Sequence, residues 1–491
     1  MDILILIFLS SGLFLGWALG ANDAANVFGT AVGSRMVRFS TAAIIASIFV
    51  ILGATLSGSG AAHTLGKLGA VNALGGAFVV SLSAALTVLV MTKFELPVST
   101  GQAVVGAIIG WNIFVGIDTE TTVLFNILMT WVLCPVLSAV ISIILYQIVK
   151  WFLNTIKLHI LTLDWVSRTA LIVAGAFGSY SLGANNIANV MGVFINAITL
   201  DDLTFGNITF NTAQQLFFVG ALAIAIGIFT YSKRVMLTVG NSMMPLTPIT
   251  AGVVVMAHSI VLFLFASEGL EYALASRGLP TIPLVPVSSS QAVVGAIIGI
   301  GLLKGGQELD WRVLGRIVTG WVTTPPIAMA SSIFLLFFLQ NVFSLMVYTP
   351  LHYQVNQHVQ TEFNHQVDSN HNFSALYGQT FTDIRSFKQA MADVQLNDPQ
   401  KKVLLELALI EPIAVDFSQL PEGWTEGLSK ERYKAVEQLD GAEFQHAWQL
   451  LDALSAASHE WQMAEDNIIN KQYNKRLKSD ITTLLNHSFI H

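Results

Sequence analysis

The stretch Leu19-Gly-Ala-Asn-Asp-Ala-Ala-Asn-Val-Phe-Gly29 returns later in the chain as Leu182-Gly-Ala-Asn-Asn-Ile-Ala-Asn-Val-Met-Gly192. A second motif, Pro97-Val-Ser-Thr-Gly-Gln-Ala-Val-Val-Gly106, returns as Pro286-Val-Ser-Ser-Ser-Gln-Ala-Val-Val-Gly295. Because motifs that recur in the same order indicate duplicated structural units, the sequence predicts two homologous halves, residues 1–150 and 166–340.

The composition separates these halves from the rest of the chain. Of the 491 residues, 53% are hydrophobic and 11% are charged, whereas soluble domains carry about 25% charged residues. Residues 1–340 hold 13 Lys and Arg against 12 Asp and Glu, and the remainder holds 11 against 19. We therefore expect a membrane region followed by a small, acidic, helical domain over residues 350–491. The absence of a basic patch argues against a nucleic-acid partner.

Apolar runs long enough to span a membrane fill the first 340 residues. A helix needs about 20 apolar residues to cross the roughly 30 Å hydrocarbon core. Such runs are predicted near residues 3–20, 40–57, 75–93, 102–115, 122–150, 166–183, 211–231, 249–267, 287–303 and 313–340. The fold class predicted is an all-α membrane protein, a polytopic helical bundle that contacts membrane lipid.

The basic residues of short loops predict the orientation of the halves, because Lys and Arg accumulate on the cytoplasmic side. If the N-terminus is outside and residues 75–115 form a re-entrant hairpin, then Arg35, Arg38, Lys150 and Lys233 all lie inside. The halves become inverted repeats, and the C-terminal domain lies on the outer (periplasmic) face. Inverted repeats with broken helices are typical of secondary transporters.

Carboxamides and one carboxylate dominate the first motif and its repeat. Hard cations such as sodium prefer such oxygens together with backbone carbonyls, and Gly20 allows the helix to unwind and expose the latter. The predicted cation ligands are Asn22, Asp23, Asn26, Asn185, Asn186 and Asn189. The alternative is that these side chains only hold helices together by hydrogen bonds.

The two proline-led motifs predict helix starts, because proline disfavours helix in the residue before it and Ser or Thr caps the first amides. A helix that starts inside the membrane presents free N–H groups to an anion. The predicted anion-binding residues are Ser99, Thr100, Gln102, Ser288, Ser289, Ser290 and Gln291. The alternative is a pair of ordinary capped helices at the membrane surface.

At these residues the sequence resembles the inorganic phosphate transporter family, which includes phosphate and sulfate permeases. The resemblance covers residues 1–340 and is most specific at Gly20–Gly33, at Lys233–Gly240 and at both proline-led motifs. It implies an inverted-repeat transporter, commonly a homodimer, that moves phosphate with sodium or protons. No catalytic residue and no resident cofactor is expected.

The chain departs from that family's usual residues at several positions. It has Gln102 and Gln291 where phosphate members carry histidine, Val50 and Met256 where they carry glutamate, and Asn186 where they carry aspartate. The loss of proton acceptors favours a fully ionised oxyanion such as sulfate.

The predicted function is a symporter of the cell (inner or plasma) membrane that imports inorganic phosphate with a cation. Sulfate or another tetrahedral oxyanion is the alternative substrate, and a passive anion channel or a membrane sensor is the more remote alternative.

Overall fold

The computed structural model describes residues 3–69, 71–93, 98–156, 159–198, 200, 203–205, 208–239, 244, 246–367, 371–391, 394, 396–420, 424–425, 427–464 and 470–488. These residues form two compact units. One comprises residues 1–273 and 280–349, and the other comprises residues 274–279 and 350–491. The predicted Pro97 and Gly240 lie outside the described residues.

Helices account for almost all of the first unit. The first half contains α1 (Ile3–Gly33), α2 (Phe39–Ser57), α3 (Ser59–Leu68), α4 (Leu74–Lys93), α5 (Thr100–Val115) and α6 (Thr121–Ile156). The second half contains α7 (Ile160–Met191), a hairpin of β1 (Leu203–Phe205) and β2 (Ile208–Phe210), α8 (Thr212–Thr230), α9 (Ser232–Val239), α10 (Pro248–Ala266), α11 (Glu268–Ala275), α12 (Ser289–Leu303) and α13 (Trp311–Phe343).

Each predicted apolar run coincides with one of these helices. Within the described part of the chain, eight helices are long and apolar enough to cross a membrane, while α5 and α12 are shorter apolar helices. The prediction of an all-α membrane bundle is therefore confirmed. The sequence did not predict the short helices α3, α9 and α11 or the β1–β2 hairpin.

Four glycines of the repeated motifs pack against the backbone of a helix from the other half. An added Cβ at any of the four would overlap that backbone, which shows how closely the helices approach. The pairs are Gly20 with Ile224, Gly183 with Val50, Gly106 with Pro325 and Gly295 with Pro135. Since Gly20 matches Gly183 and Gly106 matches Gly295 in the repeat, α1 packs on α8 as α7 packs on α2. This exchange is the pattern expected of two related halves, and their opposite orientation in the membrane stays a prediction.

The predicted unwinding at Gly20 is wrong. Helix α1 runs without a break from Ile3 to Gly33, and α7 runs likewise through Asn185, Asn186 and Asn189. Gly20 instead provides the space for the backbone of α8 at Ile224. A glycine in a helix costs only about 1 kcal/mol relative to alanine, which close helix packing readily offsets.

The second unit combines short helices with short strands. Antiparallel pairing joins His352–Gln354 to Thr380–Phe381 and to Leu409–Ile410, and joins Ile413–Ala414 to Glu443–Phe444. The described helices are Gln357–Val367, Ile384–Met391, Asp398–Ala408, Lys430–Gln438, Ala447–Ala457 and Lys471–Ser488.

The expectation of a helical domain over residues 350–491 leaves out strands such as the one that separates Lys430–Gln438 from Ala447–Ala457. The chain turns at Gly441, which adopts a left-handed φ of 75°, and Glu443–Phe444 is a strand. The described residues also contain no cluster of three or more His, Cys, Asp and Glu side chains able to hold a metal.

A partly buried ion pair, in which Arg432 is buried and Asp480 is half-buried, stabilises this unit. Arg432 donates from Nη1 to Asp480 Oδ2 at 2.8 Å, and its guanidinium lies over Trp461 at 5.4 Å from the ring centroid. Burial raises the pKa of Asp480, and the nearby Arg432 opposes that rise. Arg432 therefore compensates the half-buried carboxylate.

Replacing Arg432 by Met is expected to destabilise this unit by about 2 kcal/mol, because the half-buried carboxylate of Asp480 loses its charged hydrogen-bond donor. Pulse proteolysis of the full chain along a urea gradient measures the change. The matched control is Arg432→Met with Asp480→Leu, which removes both charges and should recover most of the loss. Equal destabilisation of the single and double variants would contradict this role.

Candidate functional site

The second helix start (Ser288–Gln291) lies inside the bundle. Ser288 caps α12, because its Oγ accepts the backbone N–H of Gln291 at 3.2 Å. Ser289 is 3% exposed, and its Oγ accepts a hydrogen bond from Asn26 Nδ2 of α1 at 3.0 Å. His258 Nε2 of α10 lies 3.0 Å from the same hydroxyl. This helix start is thus held from two directions.

The first helix start (Ser99–Gln102) repeats this arrangement. Ser99 caps α5 by accepting the backbone N–H of Gln102 at 3.4 Å, and Ser99, Thr100 and Gln102 are all buried. Gly101 faces α7, since an added Cβ there would lie 3.3 Å from Nδ2 and 3.4 Å from Oδ1 of Asn189. The first amides of a helix have no acceptor within it, and one serine cap satisfies only one of them.

The asparagines of α7 connect the second helix start to Asp23. Asn185 pairs with the backbone of Val287: its Nδ2 donates to the carbonyl at 2.7 Å and its Oδ1 accepts the amide N–H at 2.9 Å. Asn185 Nδ2 also donates to Asn186 Oδ1 at 2.9 Å, and Asn186 Nδ2 donates to Asp23 Oδ2 at 3.3 Å. We call Asn185 and Asn186 the asparagine relay.

Both helix starts contact the same face of α7. Asn185, which holds Val287, and Asn189, which faces Gly101, are four residues apart. Residues at this spacing lie on one face of a helix, about 6 Å apart along its axis. The two capped N-termini, one from each half, therefore converge on one place beside Asp23.

Asp23 is a buried carboxylate, 5% exposed, in an apolar helix. Among the described residues no basic side chain forms an ion pair with it, and its hydrogen-bond donor is Asn186. An unpaired charge in this setting costs at least several kcal/mol. Such a carboxylate has the chemistry to take a cation.

Several buried polar atoms at the two helix starts have no hydrogen-bond partner among the described residues. They are Thr100 Oγ1, Gln102 Oε1, Gln291 Oε1, Asn189 Oδ1 and His258 Nδ1. Unsatisfied buried polar groups are uncommon in folded proteins and call for an explanation. Of these atoms, the hydroxyl of Thr100 can donate to a bound anion, whereas the three amide oxygens can only accept a hydrogen bond from a ligand that carries a proton.

The structure brings most of the predicted residues together. Ser290 Oγ lies 3.1 Å from Ser288 Oγ at the second helix start, and Asn22 is half-buried on α1 next to Asp23. Their binding roles stay predictions. The sequence did not predict the contact of His258 with Ser289, because a lone histidine in an apolar helix carries no distinguishing pattern.

Replacing His258 by Phe is expected to raise the KM for the transported anion about fivefold, because Ser289 loses one neutral hydrogen bond of about 1 kcal/mol. Uptake kinetics in proteoliposomes measure the change. Ser259→Ala is the control on the same helix, since Ser259 donates only to the carbonyl of Val255, at 2.6 Å. An unchanged KM in His258→Phe would remove His258 from the site.

Comparison with known proteins identifies the family to which the chain belongs. The sequence model of the phosphate transporter family matches residues 19–332. A protein of Methanocaldococcus jannaschii whose name places it among phosphate permeases is 29% identical over 317 residues, which cover 64% of this chain and 91% of that protein. A relative of the same designation from Pyrococcus abyssi is 24% identical and covers 67% and 96% of the two chains.

A solved structure has a similar fold. It is described as the sodium-dependent phosphate transporter and superposes with a TM-score of 0.55 at 23% identity, over 69% of this chain and 99% of that chain. The family match and the eight apolar helices make the chain an integral membrane protein. The family also confirms the prediction of a transport protein rather than an enzyme. Since the match covers more than half of the sequence, the chain belongs to the phosphate transporter family.

Proposed function

We propose that this protein imports inorganic phosphate by symport with a cation, with sodium as the coupling ion. The observation that carries the proposal is the convergence of two capped helix starts, one from each half, on α7 beside the buried Asp23. The family match and the names of the relatives support phosphate as the substrate.

The anion would bind between the two helix starts. Free backbone amides and the hydroxyls of Thr100, Ser289 and Ser290 offer donors to its oxygens. No Lys or Arg is assigned to this site, and amide dipoles can hold an oxyanion without the tight pairing of a full charge. Such binding leaves release possible, which transport requires.

The cation would bind at Asp23, with Asn22 and Asn26 as neighbouring ligands. The oxygens of the asparagine relay are less available than the sequence predicted. Asn186 Oδ1 accepts N–H groups from both Asn185 and Asn189, which occupies both of its lone pairs. We therefore assign Asn185 and Asn186 to positioning rather than to cation ligation.

The charge of Asp23 can couple the binding of the cation to the binding of the anion. Without a cation, the carboxylate of Asp23 repels an anion placed between the helix starts. A bound cation cancels this charge, so each ion raises the affinity for the other. Protons could act on Asp23 in the same way, and the test below separates the two ions.

Uptake of labelled phosphate into proteoliposomes tests the proposal. An inward sodium gradient should drive phosphate above its equilibrium level, while a proton gradient without sodium should not. Uptake that stops at equilibrium under a sodium gradient would indicate a passive anion channel. Accumulation driven by protons alone would replace sodium as the coupling ion.

Sulfate is the second candidate substrate. The absence of histidine at Gln102 and Gln291 favours it, because an amide takes up no proton, whereas the histidine that the family resemblance implies could accept the proton that phosphate carries. Uptake of labelled sulfate in the same vesicles decides between them. Sulfate accumulation faster than that of phosphate at equal concentration would make this a sulfate permease.

The proposal extends to the side of the membrane on which the C-terminal domain lies and to the number of chains in the assembly. The basic loop residues support an outer-face location for the C-terminal domain, residues 350–491, and the family resemblance supports a homodimer. Protease added to intact cells should remove this domain if it lies outside. Light scattering in detergent measures the oligomeric state.

A further inference from the structure

We propose that Asn189 selects phosphate over sulfate by accepting a hydrogen bond from the P–OH group that phosphate retains at neutral pH. The inference rests on the proposed function and assigns Asn189 to the anion rather than to the cation. It depends on which way the Asn189 amide points, and the hydrogen bonds around it determine that direction.

The orientation is set by backbone groups, whose roles are unambiguous. The N–H of Val287 can only donate and its carbonyl can only accept, so the Asn185 amide has one possible orientation. The second N–H of Asn185 then points at Asn186, which must present its oxygen there. Asn186 Nδ2 consequently faces Asp23, whose carboxylate can only accept.

The same chain of bonds orients Asn189. Because Asn186 presents its oxygen, Asn189 must donate to it, and Asn189 Nδ2 does so at 3.3 Å. Asn189 Oδ1 is left as a free acceptor. It has no partner among the described residues, and the residue is 1% exposed. The Asn189 amide lies side-on to Gly101 at the first helix start, where an added Cβ would be 3.3 Å from Nδ2 and 3.4 Å from Oδ1.

A fixed acceptor discriminates between oxyanions. Phosphate carries at least one P–OH group at neutral pH and can donate it to Asn189 Oδ1. Sulfate has no proton to donate, so its oxygens would face the amide oxygen without a hydrogen bond. A ligand without a donor leaves the buried acceptor of the site unpaired, and this cost lowers its affinity relative to a ligand that can donate.

The matching asparagine of the first half has a different contact. Asn26, the repeat counterpart of Asn189, donates to Ser289 Oγ at 3.0 Å and so supports the second helix start. The two repeat asparagines therefore lie at opposite helix starts, and the chain of hydrogen bonds from Val287 fixes the amide orientation of Asn189.

Competition against labelled phosphate uptake by the wild-type protein is the first test. Arsenate, which retains a hydroxyl, should inhibit nearly as well as phosphate itself. Sulfate and monofluorophosphate, two tetrahedral dianions that lack one, should inhibit about tenfold to a hundredfold more weakly. Inhibition by monofluorophosphate as strong as that by arsenate would overturn the proposal.

Substitution of Asn189 by Leu is the second test. Removing the acceptor should make the inhibition constants of sulfate and arsenate nearly equal. A merely structural defect would raise both constants and leave their ratio unchanged. Asn26→Leu is the matched control. It should raise the inhibition constants of arsenate, sulfate and monofluorophosphate by the same factor. A ratio in Asn189→Leu equal to that of the wild type would refute the role of Asn189.

These outcomes are separable from failure of the proposed function. If the wild-type protein accumulates no phosphate under any cation gradient, the symport proposal itself is wrong. If it accumulates phosphate but does not distinguish arsenate from monofluorophosphate, only the role of Asn189 is wrong. Should Asn189→Leu not fold, the competition series on the wild-type protein still decides.

Discussion

Replacing Asp23 by Asn is expected to abolish sodium-stimulated phosphate uptake, with a loss of about 100-fold in the stimulation. The substitution removes the one carboxylate at the site while keeping the shape of the side chain. The oxygen of the introduced carboxamide can still accept the hydrogen bond that Asn186 now donates to Asp23, so the fold should survive. The measurement is the initial rate of phosphate uptake with and without a sodium gradient.

The control for this variant is Asp164→Asn. Asp164 pairs with Arg168 at 3.2 Å on an exposed surface, where an ion pair contributes little. The rate of phosphate uptake by Asp164→Asn, with and without sodium, should equal that of the wild-type protein. Persistence of full sodium stimulation in Asp23→Asn would show that the cation binds elsewhere.

Replacing Gly20 by Val is expected to prevent assembly of the bundle. Its added Cβ would overlap the backbone of Ile224, and backbone atoms cannot move aside as a flexible side chain can. Overpacking typically costs about 1–3 kcal/mol, and more where backbone must shift. We expect aggregated protein on size-exclusion chromatography and a large fall in Tm.

Gly33→Ala provides the comparison on the same helix. There the nearest atom to an added Cβ is the carbonyl oxygen of Met236 at 3.8 Å, an ordinary van der Waals distance. Its elution profile and Tm should equal those of the wild-type protein. A monodisperse Gly20→Val protein with an unchanged Tm would contradict the packing of α1 on α8.

The sequence predicted the helices well because their signals are strong and local. Apolar runs of membrane-spanning length are physically distinctive, and the repeat identified both helix starts together. The caps at Ser99 and Ser288 follow the rule that serine accepts an amide N–H in the first turn. These features depend on a few neighbouring residues.

Contacts between distant residues could not be predicted in the same way. Gly20 has two possible roles, a break or a close approach, and only the position of Ile224 distinguishes them. Likewise the contact of His258 with Ser289, and the pairing of Asn185 with Val287, join residues from different helices. No spacing along the chain encodes such contacts.

The C-terminal domain illustrates a different limit. Its helical stretches were recognisable, but its strands are two or three residues long and too short to show an alternating pattern. Gly441 marked the turn that divides the region after Lys430–Gln438. A single glycine inside a polar helical pattern is a weak signal.

Both halves are proposed to hold one and the same anion. Equilibrium dialysis of radiolabelled phosphate against the purified protein in sodium measures how many anions bind per chain, with Gln102→Ala and Gln291→Ala beside the wild-type chain. We expect one phosphate per chain, with weaker binding in each variant and a further loss in the double variant. Two phosphates per chain, or a variant in one half that binds as the wild type does, would contradict this expectation.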